Sequence, residues 1–348
     1  MIYQEVLDRT DYIPTENMDH EEWLEKRRSF IGGSDVGYIM ELSDYGSAYT
    51  LYMEKKGKYR TEENEAMLRG SIMEPYIREL TRKSFPCLQI EEAPYIFRSK
   101  AYPFMGANVD GFILVDPEKA IHDTDFETLV KTKPINSVKG LGIHEIKSSQ
   151  SGYGFGDDEI PDAYYAQIQH YLSVDDLQWA LLTVYIIDKN RIRHYIILRD
   201  NAFITNMMIP QEKVFWEEFY LKDRIPAPIG LKSEEDLITG EFSGSEPLEL
   251  EGELRDFCGE YATINQQIKA LEEKKQTVKL KLMEGIVRQA QGNPSERKVA
   301  AFAGEFAISW ITVERKDIDR EAMKKSGIYE KFLKVSTYDR FTVTTRKK

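Results

Sequence analysis

Cysteine is nearly missing from this 348-residue chain, which has only Cys87 and Cys258, far apart. Two such thiols exclude a four-cysteine zinc site and a thiolate-held iron–sulfur cluster, and a disulfide framework is not expected. Long apolar runs are missing as well: no stretch reaches the ~18 apolar residues a membrane span needs. Nor does a charged-then-apolar segment of the signal-peptide kind open the sequence, so the expectation is a cytoplasmic protein with no membrane attachment. There is no internal repeat and no low-complexity tract. Positive charge is in deficit, with 47 Lys and Arg against 59 Asp and Glu and a net charge of −12. This argues against coating nucleic acid by bulk electrostatics, yet leaves room for a local basic groove. What is present, 41% apolar residues with 11% aromatics, supports a real core in one large domain or two.

From 19 to 57 the pattern is helical, broken at Gly32-Gly33 and resumed by Ser34 or Asp35 as a cap, which predicts an N-terminal helical layer. Residues 62–84 read as a helix with Met67, Leu68, Ile72, Ile77 and Leu80 on one buried face, kinked or restarted at Pro75. Strands are expected over 88–97, 104–115 and 143–148, with a loop from 116 to 141. Pro161 opens a helix, WALLTVYII and RIRHYIILR form two strands about a tight turn, and a helix over 200–221 bends near Pro210. The Pro-, Gly-, Ser- and acid-rich segment 223–247 reads as a linker. It divides a domain over 1–222, with its core at 62–221, from a 248–348 extension. That extension starts with a charged helix or helix pair to about 291, followed by a hairpin, a short helix from Asp317 and a last strand near RFTVTT.

The chemistry concentrates on a few polar residues at apolar-patterned positions. In IHEIKSSQSG, Glu145 and Lys147 are two apart on a strand and share a face. Asp110 ends the apolar stretch FMGANV, Gln167 and Tyr171 are i and i+4 on a helix, and Glu74 sits at the Pro75 kink. Each has an ordinary reading alone: a cross-strand ion pair, a turn, a half-buried helix face, a partner for Arg69 or Arg78. Together they are harder to dismiss, because burying three carboxylates costs several kcal/mol unless cations compensate, and Lys147 neutralises one. A divalent metal would answer the rest. Mg²⁺ takes hard oxygen ligands and keeps waters for chemistry. Asp110 and Glu145 would hold it with the Ile146 backbone carbonyl as third ligand, Lys147 would contact the attacking water, and Glu74 would complete a second ion's shell.

The segments RRSFIGGSDVGYIMELSDYGSAYTLYMEKKGK, LRGSIMEPYIREL, NVDG, HEIKSS and PDAYYAQIQHYL, spread over about residues 20–220, resemble the PD-(D/E)xK nucleases. Within them they are similar to the λ-exonuclease-like, YqaJ-type viral recombinase nucleases. The resemblance implies an α/β fold, a restriction-endonuclease-like core with a central mixed sheet flanked by helices, here with an α+β C-terminal extension. It implies a Mg²⁺-dependent 5′-to-3′ exonuclease on double-stranded DNA ends, with two ions per site and Mn²⁺ as a possible substitute. Glu74, Asp110 and Glu145 would be metal ligands, Lys147 the catalytic lysine, and Gln167 with Tyr171 the helix that steadies the site and the DNA phosphates. Arg28 and Ser34 occupy the places of a 5′-phosphate pocket, although Arg27 is adjacent. Asp116 competes with Asp110 but lacks the following glycine. The resemblance further implies a homo-oligomeric ring, often trimeric, a single-strand annealing recombinase as partner, and a phage or prophage origin in the bacterial cytosol. Rival readings are an endonuclease or helicase-linked nuclease of related fold, which would cut a closed circle, and a non-catalytic DNA-binding or recombinase-docking module.

Overall fold

Alternating Leu, Ile and Val in the middle of the chain build a five-stranded sheet, and the computed structural model shows what surrounds it. The structure describes residues 1–60, 64–120, 122–131, 138–241, 248–289, 298–304, 306–311 and 320–327. It divides into two units, Met1–Phe242 and Ser243–Lys348.

The first unit begins with α1 (Gln4–Arg9), β1 (Asp11–Pro14), α2 (His20–Arg28), α3 (Gly33–Ile39) and α4 (Ala48–Lys55). Next comes α5 (Glu65–Ser84), capped by the Asn64 side chain, which accepts from the Ala66 and Met67 amides. Pro75 does not interrupt it. Beyond lie β2 (Leu88–Glu91), β3 (Tyr95–Arg98), β4 (Gly106–Ala107), β5 (Gly111–Val115), α6 (Pro117–Ala120), α7 (Thr124–Val130), β6 (Leu141–Ser149), α8 (Asp162–Val174), β7 (Trp179–Ile186) and β8 (Arg191–Leu198). The central sheet runs β2-β5-β6-β7-β8 and is antiparallel except for β6 beside β7, which are parallel and joined through α8. One face packs α8 and α3 over Phe112, Ile143 and Leu182, and the other packs α5 and α7 over Ile113, Trp179 and Leu181. The α/β class with a mixed sheet between helices is therefore as expected from sequence.

Several local expectations give way. The 104–115 strand is two strands in two sheets: β4 pairs β3 in a small β1-β3-β4 sheet, whereas β5 joins the central one. Asn108 to Asp110 is the crossover between them. Gly111 starts β5 because a Cβ there would lie 2.6 Å from the Glu91 carbonyl oxygen. The 116–141 loop contains α6 and α7, with Phe126 and Val130 buried. Met67, Leu68 and Ile72, expected on the buried face of α5, are exposed, and only the end of that helix packs inward through Ile77, Arg78 and Thr81. The 200–221 helix is present as α9 (Asn201–Phe203), a π-wound turn at Ile204–Met208, α10 (Ile209–Val214) and a second π-wound turn at Phe215–Tyr220. The first π turn immediately precedes Pro210, which has no amide to give to a regular ladder.

Segment 223–247 is not a bare linker. It contains α11 (Lys232–Glu241), whose buried Glu234 accepts from the Ser47 hydroxyl and from the Ile229, Gly230 and Leu231 amides. In the second unit, described by itself, α12 (Glu253–Gln289) precedes an antiparallel hairpin of β9 (Lys298–Ala303) and β10 (Phe306–Ile311) and then α13 (Arg320–Lys325). The last strand expected near RFTVTT lies outside the described residues.

One buried acid in this fold gives a stability test. Asp175 follows α8, is wholly buried, and neither carboxylate oxygen has a hydrogen-bond partner. Burial pushes its carboxyl up to about 8, only partly offset by His170 and Arg9. An acid with a raised folded pKa stabilises most below its unfolded value, near 4, and loses that contribution as pH rises to about 8. Urea unfolding should therefore show stability falling between about pH 4 and 8, and Asp175→Asn should remove part of that fall.

Candidate active site

Glu145 and Lys147 sit on the α8 face of β6, with His144 and Ile146 on the other, as the two-residue strand period requires. Glu145 is 2% exposed, and its Oε1 accepts from Lys147 Nζ at 2.6 Å and from Gln167 Nε2 at 2.9 Å. Gln167 Nε2 also donates to the Tyr171 hydroxyl at 3.0 Å, completing a buried chain from β6 to α8. Lys147 Nζ lies 5.4 Å from the centre of the Tyr164 ring.

Asp110 approaches from the crossover before β5. The β5–β6 ladder stops at Gly111 opposite His144, leaving the Ile146 amide beyond its end, and Asp110 Oδ2 accepts from that amide at 2.7 Å. In a strand the N–H and C=O of one residue point to the same side, so the Ile146 carbonyl faces the Asp110 side too. Asp116 instead caps α6, accepting from the Glu118 and Lys119 amides. The structure thus brings together Asp110, Glu145, Ile146, Lys147, Gln167 and Tyr171, and places Asp116 elsewhere.

Glu74 reaches the same region from α5, but its carboxylate is bound by Arg78 one turn on. Arg78 also donates to Glu92 and, at 3.0 Å, to the Asp110 backbone carbonyl, with its side chain only 3% exposed. Sequence reasoning saw Arg78 only as an ordinary partner of Glu74. Its signal was placement: it follows Ile77 and precedes Thr81 by one turn on the buried stripe of α5.

The electrostatics reflect crowded acids. Burial and the Asp110 charge push the Glu145 carboxyl up to about 8, against the pull of Lys147. Burial and Asp110 likewise raise Glu74 to about 7 despite Arg78, and burial raises Asp110 itself although Lys147 and the Ile146 amide oppose it. For Lys147, burial would lower the pKa, but the Glu145 and Asp110 charges outweigh it and raise it. The raised pKa favours the ammonium, a hydrogen-bond donor.

Among the described residues no three His, Cys, Asp or Glu side chains converge as a metal cluster, since Glu74 is turned to Arg78. The donor set still fits a hard cation. Glu145 Oε2 is buried with no hydrogen-bond partner, Asp110 supplies a second carboxylate, and the Ile146 carbonyl lies on the same side. Two carboxylates with a carbonyl and waters is a usual Mg²⁺ set.

The N-terminal layer meets this site through Gly33. A Cβ there would lie 2.4 Å from Tyr171 Cε1, so only glycine lets the start of α3 rest on the ring. Ser34, the next residue, accepts from Arg27 at 2.8 Å, while Arg28 turns to Glu25 at 2.7 Å. Adjacent residues on α2 point about 100° apart, so Arg27 and not Arg28 reaches Ser34, while both arginines border the recess expected to take a phosphate. Arg27 is fixed further by Asp35, itself clamped by Lys55 Nζ at 2.6 Å. Arg27, Arg28, Lys55 and Arg60 border one recess, also lined by Leu24, Glu54 and Tyr59. Gln167, expected to steady the site and the DNA phosphates, is buried and donates to Glu145 and Tyr171. Sequence reasoning also missed the wholly buried His170, beside Tyr171, which bonds Glu212 and the Gly106 carbonyl at 2.9 Å each.

Residues 22–178 match the model of the YqaJ-like viral recombinase domain, a span holding every residue of the cluster. The chain is 26% identical over 336 residues to the uncharacterized protein YqaJ of Bacillus subtilis (strain 168), covering 94% of each. Among solved structures it is similar to an alkaline exonuclease, LHK-Exo, from Laribacter hongkongensis, at 18% identity, 64% of this chain, 97% of that one and a TM-score of 0.38. A phage-related exonuclease from Haemophilus somnus 129PT matches at 15% identity, 56% of this chain, 96% of that one and a TM-score of 0.38. Residues 22–178 of this chain are thus similar to a YqaJ-like viral recombinase domain.

Proposed function

We propose that this chain is a metal-dependent deoxyribonuclease that resects linear duplex DNA from its ends, 5′ to 3′, leaving 3′ overhangs for a single-strand annealing recombinase. The observation that carries the nuclease reading is the buried Glu145 carboxylate, bonded on one oxygen to Lys147 and Gln167 and bare on the other, which stands with Asp110 just past the end of the β5–β6 ladder. Asp110, Glu145 and the Ile146 carbonyl would hold Mg²⁺, with Mn²⁺ as substitute. Bound there, the ion would polarise the scissile phosphate and offset charge on the leaving oxygen. Lys147 donates hydrogen bonds to the attacking water and so orients it, while Gln167 and Tyr171 hold Glu145 in place. A second ion would have to take Glu74 from Arg78. The recess lined by four cations and Glu54 is the proposed seat of the 5′-terminal phosphate, with Arg27, which also bonds Ser34, and Arg28 as its cations. The proposed setting is the bacterial cytosol, with a phage or prophage origin and a ring of copies around the DNA.

The test is digestion of linear duplex labelled at either the 5′ or the 3′ end, with Mg²⁺ or with EDTA, beside a closed circle. The expected result is loss of the 5′ label that EDTA abolishes, with the circle intact. Cutting of the circle would replace the exonuclease with an endonuclease. No cleavage by folded protein under any divalent ion would leave a DNA-binding module.

A further inference from the structure

Helix α12 has 37 residues and none of them is buried. At about 1.5 Å per residue it is about 55 Å long, far more than a lone helix in water would keep without packing. Its apolar residues are nevertheless ordered. Stepping three then four from Leu254, the series runs through Phe257, Ile264 and Leu271 to Val278 and Leu282, with one charged member, Lys275. All these apolar members are exposed, Leu271 at 64%. A repeat of 3.5 residues held over four heptads is the seam of a coiled coil.

We propose that α12 is a self-association element that pairs antiparallel with α12 of a second copy of this chain. Charge selects that occupant and that direction. One flank of the seam carries Glu253 and Glu260 in its first half and Lys274, Lys281 and Arg288 in its second. Antiparallel pairing sets Glu253 against Arg288 and Glu260 against Lys281, each pair formed twice by the two-fold axis. Arg288 reaches Glu284 within its own helix, so Glu260 and Lys281 are the clearer pair. In the same register Phe257 layers on Leu282 and Ile268 on Leu271, and Lys275 lies beside Ile264, where its stem can pack while the ammonium reaches water. A parallel pair would instead face Lys275 with Lys275 and set Lys274 against Lys279, which is repulsive on both counts.

The test is the mass of the full chain by light scattering and sedimentation over a range of concentrations, with far-ultraviolet circular dichroism as a folding control. Ile268→Asp, at the central layer, should halve the mass of the assembly. Glu260→Lys should raise the dissociation constant about tenfold by turning two attractive pairs repulsive, and adding Lys281→Glu should restore it. A mass unchanged by Ile268→Asp would overturn the proposal, as would failure of the double charge exchange to recover what the single one lost. A wild-type chain already at the mass of Ile268→Asp would overturn it too, and would give the seam to a different protein. None of these readouts depends on nuclease activity, so this proposal and the functional one fail separately.

Discussion

Lys147→Ala is expected to slow cleavage of duplex DNA by about a hundred- to a thousandfold while leaving the fold and DNA binding in place. The lysine sits 2.6 Å from the buried Glu145 and beside the Tyr164 ring, and the surrounding acids raise its pKa. In the proposed reaction it would be a fixed cation beside the attacking water, and losing one preorganised donor of that kind costs this order of rate. Lys147→Arg keeps the charge but replaces a compact ammonium with a planar fork, so it should recover only part of the loss. The measurement is single-turnover cleavage at saturating enzyme, with DNA binding followed separately in EDTA. A rate unchanged by Lys147→Ala would make the Glu145–Lys147 bond a structural pair.

Gly33→Ala is expected to lower both stability and activity, by about 1–3 kcal/mol and about tenfold, although Gly33 bears no side chain and touches no substrate. The added methyl would meet Tyr171 Cε1 at 2.4 Å, well inside contact distance, and Tyr171 is buried on α8 with little room to yield. Any shift of the ring moves its hydroxyl, which binds Gln167, which in turn holds Glu145. The damage should therefore appear in the chemical step more than in DNA affinity. Tyr171→Phe, which keeps the ring and drops the hydroxyl, should cost only about 1 kcal/mol of stability. Combining Gly33→Ala with Tyr171→Ala should be less destabilising than the sum of the two, since the second change empties the space that the first requires. Strict additivity in urea unfolding would show that the ring is not what confines position 33.

These two residues mark how far the sequence could be read. Glu145 and Lys147 were legible because a strand forces residues two apart onto one face, whatever the rest of the chain does. Gln167 and Tyr171 were legible for the helical counterpart of that reason. Asp110 does lie beside β6, but not on the strand expected for it, since alternation continues across Asn108 to Asp110 while the chain changes sheets. The apolar stripe of Met67, Leu68 and Ile72 was visible too, yet periodicity reports that a face exists and not that something covers it. Glu234 was missed because its hydroxyl donor, Ser47, is 187 residues away, beyond any local pattern. Arg27 and Arg28 could not be ranked from sequence, as neighbours on a helix differ only in direction. The role of Gly33 was hidden for a related reason: it was read as a helix break, and its close neighbour lies on another helix.

One glycine on β6 bears on how this strand can evolve. A Cβ on Gly142 would lie 2.4 Å from the Trp179 ring, the largest wholly buried side chain, so β6 has one position that can sit under that indole. On the same face His144 bonds the Thr183 hydroxyl at 3.0 Å. Together they act as a register pin. If β6 slipped by one residue, His144 and Ile146 would turn toward α8, and Glu145 and Lys147 would be driven into the apolar layer under α5 and α7. Insertions and deletions between Gly142 and Lys147 should accordingly be poorly tolerated, because they would turn Glu145 and Lys147 away from α8 together.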